Sequence, residues 1–217
     1  MINIRYFIYN GFYIPFLIAL FRYNDFLLFF FSSLKLLSTN FYFNFQYCNK
    51  PYYYWKHMIR LTDTGHIANM IYYFNPDFLP IAFNIHFIIA VGYWSTRICF
   101  NLNESVGTPE HLKIMINEPF SQFLRIANHS FSLFLYTYIL WKSEMCYEHF
   151  NNDTLLYTYY WCHSWLFLIY LPWRFLTHDP VYSVLSNDSP FYISLLIFVY
   201  MHFVAYFSNY IGYYITC

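Results

Sequence analysis

Hydrophobic positions along this chain form long apolar blocks that short polar stretches separate. The first block covers residues 6–37 and is interrupted by Arg22, Asn24 and Asp25. We expect one membrane span ending near Phe21 or, as the alternative, a helical hairpin bent at this polar cluster. About 20 consecutive apolar residues are enough for a helix to cross a bilayer.

A mixed stretch over residues 38–66 follows, in which aromatic rings stand among cations, as is typical of a membrane interface. The remaining pattern predicts helices over residues 79–100, about 110–141, 154–175 and 191–217, with polar links over 143–153 and 177–190. The sequence therefore predicts an all-α, polytopic membrane protein with about five transmembrane or membrane-embedded helices. We divide its single membrane domain, 1–217, into an N-terminal span with an interfacial segment, 1–66, and a helical channel region, 67–217.

Composition favours a membrane protein over a soluble one. Hydrophobic residues make up 59% of the chain and charged residues 10%, whereas globular proteins carry roughly 25% charged residues. The zero net charge provides no basic patch, so we expect no nucleic-acid partner. The five cysteines are scattered without a CxxC pair, so neither a disulfide framework nor a metal site is expected, and we expect no cofactor.

The high content of Phe and Tyr, 27 and 26 residues, is typical of an A+T-rich coding sequence. Such a bias often accompanies very hydrophobic products of organelle genomes. The N-terminal residues show neither a secretory signal nor a transit peptide. We therefore expect an organelle-encoded, multi-pass protein of the mitochondrial inner membrane.

Polar residues around Arg125 recur at helical spacing. They lie at offsets of −7, −4, −3, +3, +4 and +7 from it: Glu118, Ser121, Gln122, Asn128, His129 and Ser132. This spacing places all of them on one face of an α-helix, opposite an apolar face. The pattern predicts an amphipathic helix with a polar stripe centred on an arginine.

Arginine stays charged at any accessible pH, so it cannot avoid the cost of burial by losing its proton. That cost ranges from roughly 3 kcal/mol on insertion scales to 10 or more in simulations. No carboxylate lies within one helical turn of Arg125, so its partner should come from another helix or another protein. The alternative is a packing pair with Asp25, Glu144 or Glu148.

The arginine segment resembles subunit a, the proton-channel subunit, of mitochondrial F-type ATP synthases in a divergent form. The family order is followed by Pro119, Ser121, Leu124-Arg125, Ala127 and Asn128, with the Ala-Asn pair one residue closer to the arginine than in the family. Upstream, the order is also similar in Asn69, His86, Gly92 and Gly107-Thr-Pro109. The last helix has His202-Phe-Val-Ala-Tyr206 where the family has Gln-Ala-Tyr, and the stretch between the two helices is longer by roughly one span.

The resemblance implies that the arginine helix and the C-terminal helix form a hairpin-like unit against a rotating ring of c subunits. Arg125 would keep the ring carboxylates ionised, because a nearby positive charge lowers a carboxyl pKa, and would prevent a proton short-circuit between two half-channels. The chain would have no catalytic site of its own. Its partners would be the c-ring, the other membrane subunits of the complex and lipids.

The proton path implied by the resemblance includes the stripe around Arg125 and a second stripe on the last helix. The second stripe consists of His202, Tyr206, Asn209 and Tyr213. The alternative is that these groups form hydrogen bonds across the helix bundle. Weaker candidates, more typical of interfacial or structural positions, are His86, Glu144, Glu148 and His163.

Two other functions fit the composition equally well. One is a small membrane subunit of a respiratory complex, such as NADH dehydrogenase or cytochrome oxidase. The other is an accessory scaffold whose aromatic surface binds lipid and neighbouring subunits. Neither explains the arginine stripe.

Overall fold

The computed structural model describes the backbone of residues 59–100, 119–143, 149–178, 182 and 191–216. It also describes separate helical positions nearer the N-terminus, at 25, 26, 28–30, 32, 33 and 36. Side chains are described at all of these positions except 99–100, 119–125, 127–128 and 191. The described residues are almost entirely helical and contain no strand.

From residue 59 onward, six α-helices follow one another in the described part of the chain: α1 Leu61–Phe74, α2 Leu79–Phe100, α3 Pro119–Lys142, α4 Asn152–Ser164, α5 Leu171–Thr177 and α6 Phe191–Thr216. A 3₁₀ turn, Pro76–Phe78, separates α1 from α2. A π-helical segment, Trp165–Tyr170, joins α4 to α5, so the chain stays helical from Asn152 to Thr177.

Three predicted helices agree closely with the structure. The bounds of α2 coincide with the prediction, α6 fills the predicted final span, and α4 to α5 cover the range 154–175. Helix α3 ends at Lys142 as expected, and the predicted helical start over 110–118 lies outside the described residues. The predicted first span also lies mostly outside them.

The predicted interfacial stretch over 38–66 lies mostly outside the described residues, and its last residues, from Leu61 onward, belong to α1. In the structure Asp63, Thr64 and His66 are buried inside the bundle. Polar residues can occupy an interior when hydrogen bonds satisfy them, and Thr64 illustrates this, since its hydroxyl donates to the Leu61 carbonyl at 2.7 Å.

The π-helical turn has a covalent cause. Pro172 lacks an N–H, and its ring would crowd the carbonyl four residues earlier in a regular α-helix. A widened turn just before the proline relieves this crowding without ending the helix. Helix α5 then ends at His178, which adopts a left-handed conformation at φ 55° and donates its N–H to the Arg174 carbonyl at 2.9 Å.

Helix α2 lies at the centre of the described bundle, with its most extensive contacts to α6, α3 and α1. Its pairing with α3 is antiparallel. Tyr93 stacks on His129 and His86 contacts Tyr136, so the residue numbers rise on one helix as they fall on the other. Helix α6 is also antiparallel to α2, because Ser95 bonds Tyr200 while Asn84 bonds Asn209.

Two helical segments in the described part of the chain are long and apolar enough to cross a membrane, Pro76–Ile98 and Tyr192–Thr216. The first is mostly buried, as the core helix of a soluble protein would also be. The second differs, because only 22% of its apolar window is buried. Burial against the rest of the chain therefore does not explain the apolar sequence of α6.

Candidate functional site

The arginine stripe begins on α3, whose backbone includes positions 119–142. Glu118 lies outside the described residues, as do the side chains of Ser121, Gln122, Arg125 and Asn128. The two described members of the stripe contact this same chain. His129 stacks on the Tyr93 ring of α2, with centroids 4.1 Å apart, and Ser132 is buried.

The antiparallel register fixes the height of position 125 along the bundle. His129 lies opposite Tyr93, and the neighbouring Ser130 accepts a hydrogen bond from the Trp94 indole N–H at 2.9 Å. Because the two helices are antiparallel, the residue four positions before His129 on α3 lies opposite the residue four positions after Tyr93 on α2. Position 125 is therefore level with Arg97, one turn before α2 ends at Phe100.

The polar face of α3 continues beyond the predicted stripe to Tyr136, eleven residues after position 125. Tyr136 is fully buried, and its hydroxyl donates to the Asn69 side-chain oxygen at 2.6 Å. Its ring also contacts His86 and Tyr72. Tyr136 thus connects α3 to polar groups on α1 and α2.

Asn69 is the centre of this buried cluster. Its side-chain oxygen accepts hydrogen bonds from Tyr136 and from His86 Nε2, the latter at 2.7 Å. Its amide nitrogen donates to the Ser32 hydroxyl at 3.0 Å, and that hydroxyl lies 3.3 Å from His66 Nδ1. One amide thus forms hydrogen bonds to three different helical segments.

The hydrogen bonds of His86 assign its tautomer. Nε2 lies 2.7 Å from the Asn69 oxygen and 3.1 Å from the Gly65 carbonyl oxygen, and both are acceptors. Nε2 therefore carries the proton and Nδ1 has the lone pair. Sequence alone suggested an interfacial or structural histidine, and the structure puts it in the buried core.

A second buried polar cluster joins α2, α4 and α6 around Asn84. Its amide nitrogen donates to Thr158 Oγ1 and to Asn209 Oδ1, each at 3.1 Å, and its oxygen accepts from the Ser208 hydroxyl at 2.9 Å. Asn209 continues the chain of bonds to the Asn151 carbonyl at 3.3 Å. This candidate from the last helix therefore faces the bundle interior.

The other candidate residues on α6 have different surroundings. His202 faces α4, where its Nε2 lies 2.9 Å from Nε2 of His163. Tyr206, one turn further along α6, is largely exposed, at 59% of its surface. Tyr213 is half-buried and packs against the hydrophobic core.

Sequence reasoning missed several members of these clusters, namely Asn84, Tyr136, Thr158 and Ser208. Tyr136 had a usable signal, because it continues the spacing of the α3 stripe by one more turn. Asn84 and Thr158 are single polar residues in apolar runs, and Ser208 forms a polar pair with Asn209 in such a run. Such residues are expensive in a helix interior unless they are paired, and this cost is the signal that could have identified them.

Metal ligands do not cluster in the described part of the chain. No group of three or more His, Cys, Asp or Glu side chains there is placed to share an ion. Cys162 is a free, buried thiol. The site consists of neutral amides, hydroxyls and imidazoles, which can orient water and pass protons.

The fold and these clusters define a helical bundle with a hydrogen-bonded polar interior and, among the described residues, two helices long and apolar enough to span a bilayer. Searches against protein families, curated proteins and solved structures find no match for this chain.

Proposed function

We propose that this chain is an integral membrane protein. The support comes from the outer face of α6, where large hydrophobic and aromatic side chains are exposed: Tyr192, Leu195, Leu196, Val199, Tyr200, Phe203, Tyr206, Phe207, Tyr210 and Tyr214. Contiguous apolar faces of this size are unusual on soluble monomers. Tyrosines stand at both ends of the helix, as in the aromatic belts of membrane proteins.

Within the membrane, we propose that the chain acts as the proton-conducting subunit of a rotary ATP synthase, with the role of subunit a. One observation carries this proposal. Position 125, His129, Ser132 and Tyr136 recur at helical spacing along α3, and Tyr136 bonds Asn69. Polar residues in a membrane interior are costly, and they mark ion and proton pathways.

Arg125 is proposed to hold the passing carboxylate of a ring subunit in its ionised form. Position 125 lies level with Arg97, close to where α2 ends. Arg97 donates to the Tyr93 hydroxyl at 2.6 Å, and Tyr93 stacks on His129. A second cation at this height would further lower the pKa of an approaching carboxyl group.

The proposed setting is the mitochondrial inner membrane, with the chain crossing it several times and encoded by the organelle. The proposed partners are a ring of small hairpin subunits, other membrane subunits and lipids. The polar clusters on α1, α2 and α3 would line one part of the path, and the Asn84 cluster on α2, α4 and α6 another. The composition and the arginine resemblance support this assignment.

The test is proton pumping by the purified complex after reconstitution into vesicles. Arg125→Lys should abolish ATP-driven acidification, because a lysine cannot reproduce the rigid, permanently charged guanidinium fork. Arg174→Lys is the matched control, since Arg174 is a half-buried arginine on the distant helix α5, and it should leave pumping intact.

The identity of the co-purifying subunits separates the alternatives. A ring of small hairpin proteins supports the proposal, whereas flavin, haem or copper subunits indicate a respiratory complex. Normal pumping by Arg125→Lys contradicts the proposal. If the complex assembles normally but conducts no protons with either the wild-type chain or the Arg125→Lys variant, the chain is a scaffold.

A further inference from the structure

Two histidines form a pair between α4 and α6. His163 and His202 direct their Nε2 atoms at each other across 2.9 Å. Their ring centroids are 4.9 Å apart, with the ring planes inclined by 41°. Both side chains are half-buried.

The protonation of this pair follows from a backbone contact. His202 Nδ1 lies 2.8 Å from the Phe198 carbonyl oxygen, which can only accept, so Nδ1 carries the proton. With the proton on Nδ1, the Nε2 atom of His202 has a lone pair, to which His163 Nε2 donates at 2.9 Å. A backbone carbonyl that holds one ring N–H is the usual support of a metal-binding histidine, because it fixes the tautomer and the ring orientation.

We propose that His163 and His202 form a binding site for a divalent transition-metal ion of the Zn²⁺ or Cu²⁺ class. Two nitrogen ligands at Zn–N distances of 2.0–2.1 Å in tetrahedral geometry lie about 3.3 Å apart. The pair needs to open by only about 0.4 Å and tilt toward a common point. Water completes the coordination, as it does at open metal sites.

The surroundings select the type of ion. The hollow beside the pair is lined by Tyr159, Cys162, Trp165, Leu166, Phe198, Met201 and Ala205, none of which has a carboxylate. Ca²⁺ and Mg²⁺ require oxygen ligands, whereas imidazole suits Zn²⁺ and Cu²⁺. Aromatic rings hold both histidines in place, with Phe198 at 4.3 Å and Tyr159 at 5.0 Å from the His202 ring.

When the metal ion binds a pair of neutral histidines, no proton is released or taken up. The proton on His163 Nε2 moves to its own Nδ1 through solvent, and both Nε2 lone pairs bind the ion. Acid competes with the metal, because each protonated imidazole loses its lone pair. The site joins α4 to α6, so the ion would also hold these helices together. This proposal does not depend on proton conduction by the chain.

The experiment is calorimetric titration of the full-length protein in detergent with ZnCl₂, using MgCl₂ as the comparison. We expect one equivalent of Zn²⁺ to bind, with no response to Mg²⁺. His163→Gln and His202→Gln should each weaken binding by at least about tenfold. His178→Gln, which changes an exposed histidine outside the pair, should bind as the wild type does.

A second measurement keeps the test valid if a variant fails to fold. Diethyl pyrocarbonate modifies accessible imidazoles, and mass spectrometry locates the modified residues in the wild-type protein. Zn²⁺ should protect His163 and His202 together and leave His178 reactive. Equal modification of the pair with and without Zn²⁺, or Zn²⁺ binding that survives both glutamine substitutions, would overturn the proposal.

Discussion

Replacing Asn69 by leucine tests whether the buried polar cluster stabilises the bundle. Leucine has a similar volume but accepts no hydrogen bond, so Tyr136 loses its 2.6 Å partner in a fully buried position. His86 loses one acceptor and keeps the Gly65 carbonyl at 3.1 Å. The cost therefore comes mainly from Tyr136 and from the lost bond to Ser32.

The expected magnitude depends on the solvent of the unfolded state. A buried donor without a partner costs about 1–3 kcal/mol in a water-soluble protein. In membrane proteins each interhelical hydrogen bond contributes about 0.6 kcal/mol on average, because the unfolded chain in the bilayer also finds partners. Three lost bonds then amount to about 2 kcal/mol. We expect Asn69→Leu to lower the free energy of unfolding by at least this amount.

The assay is reversible unfolding in mixed micelles, followed by circular dichroism. Tyr136→Phe removes one donor and leaves Asn69 bonded to His86, so its cost should be smaller, about 0.5–1.5 kcal/mol. The double variant should lose less than the sum of the two single effects, because both remove the same bond. Asn152→Leu, at an exposed position on α4, is the control. An Asn69→Leu protein as stable as the wild type would refute the reasoning.

Further predictions concern two glycines and one tyrosine. A Cβ at Gly212 would overlap the ring of buried Phe150, whereas no atom lies within 4 Å of a Cβ at Gly92. Gly212→Ala should therefore lower the free energy of unfolding by about 1–3 kcal/mol, and Gly92→Ala should raise it by up to about 1 kcal/mol. Equal effects of the two substitutions in denaturant unfolding would contradict this reasoning. Burial against Trp165 raises the pKa of Tyr182, and the hydrogen bond from the Leu61 N–H at 2.8 Å opposes this rise only in part. Its contribution to stability should be complete below the ordinary tyrosine pKa of about 10 and be lost as the pH rises above it. Tyr182→Phe should be less stable than the wild type at neutral pH by about 1 kcal/mol. Between pH 9 and pH 12 it should lose less stability than the wild type does. Unfolding followed by Trp fluorescence measures both, and the same pH profile for the two proteins would count against a raised pKa of Tyr182.

The arginine stripe shows how far helical periodicity can be taken as a prediction. Spacing put Arg125, His129 and Ser132 on one face of one helix, and α3 has the regular geometry that this requires. Spacing does not say what a face contacts. The described part of this face packs against α2 of the same chain, and only the tertiary structure could supply that neighbour.

The polar segment at the start of α1 shows what local composition cannot predict. Its charged and hydroxyl residues resembled an interfacial stretch, because polarity alone does not separate exposed residues from hydrogen-bonded buried ones. Asn69 and His86 are 17 residues apart in sequence and 2.7 Å apart in space. Pairings of this kind depend on how helices pack, and no local pattern encodes them.

The sequence by itself determined the helical class, the bounds of α2 and α6 and the amphipathic character of α3, because these depend on periodicity and on prolines close along the chain. The tertiary structure decided which polar residues meet, including the Asn69 and Asn84 clusters and the His163–His202 pair. It also decided the height of position 125 against α2. The physical reason is that buried polar groups nearly always have a hydrogen-bond partner, and in these clusters the partner comes from a distant part of the chain.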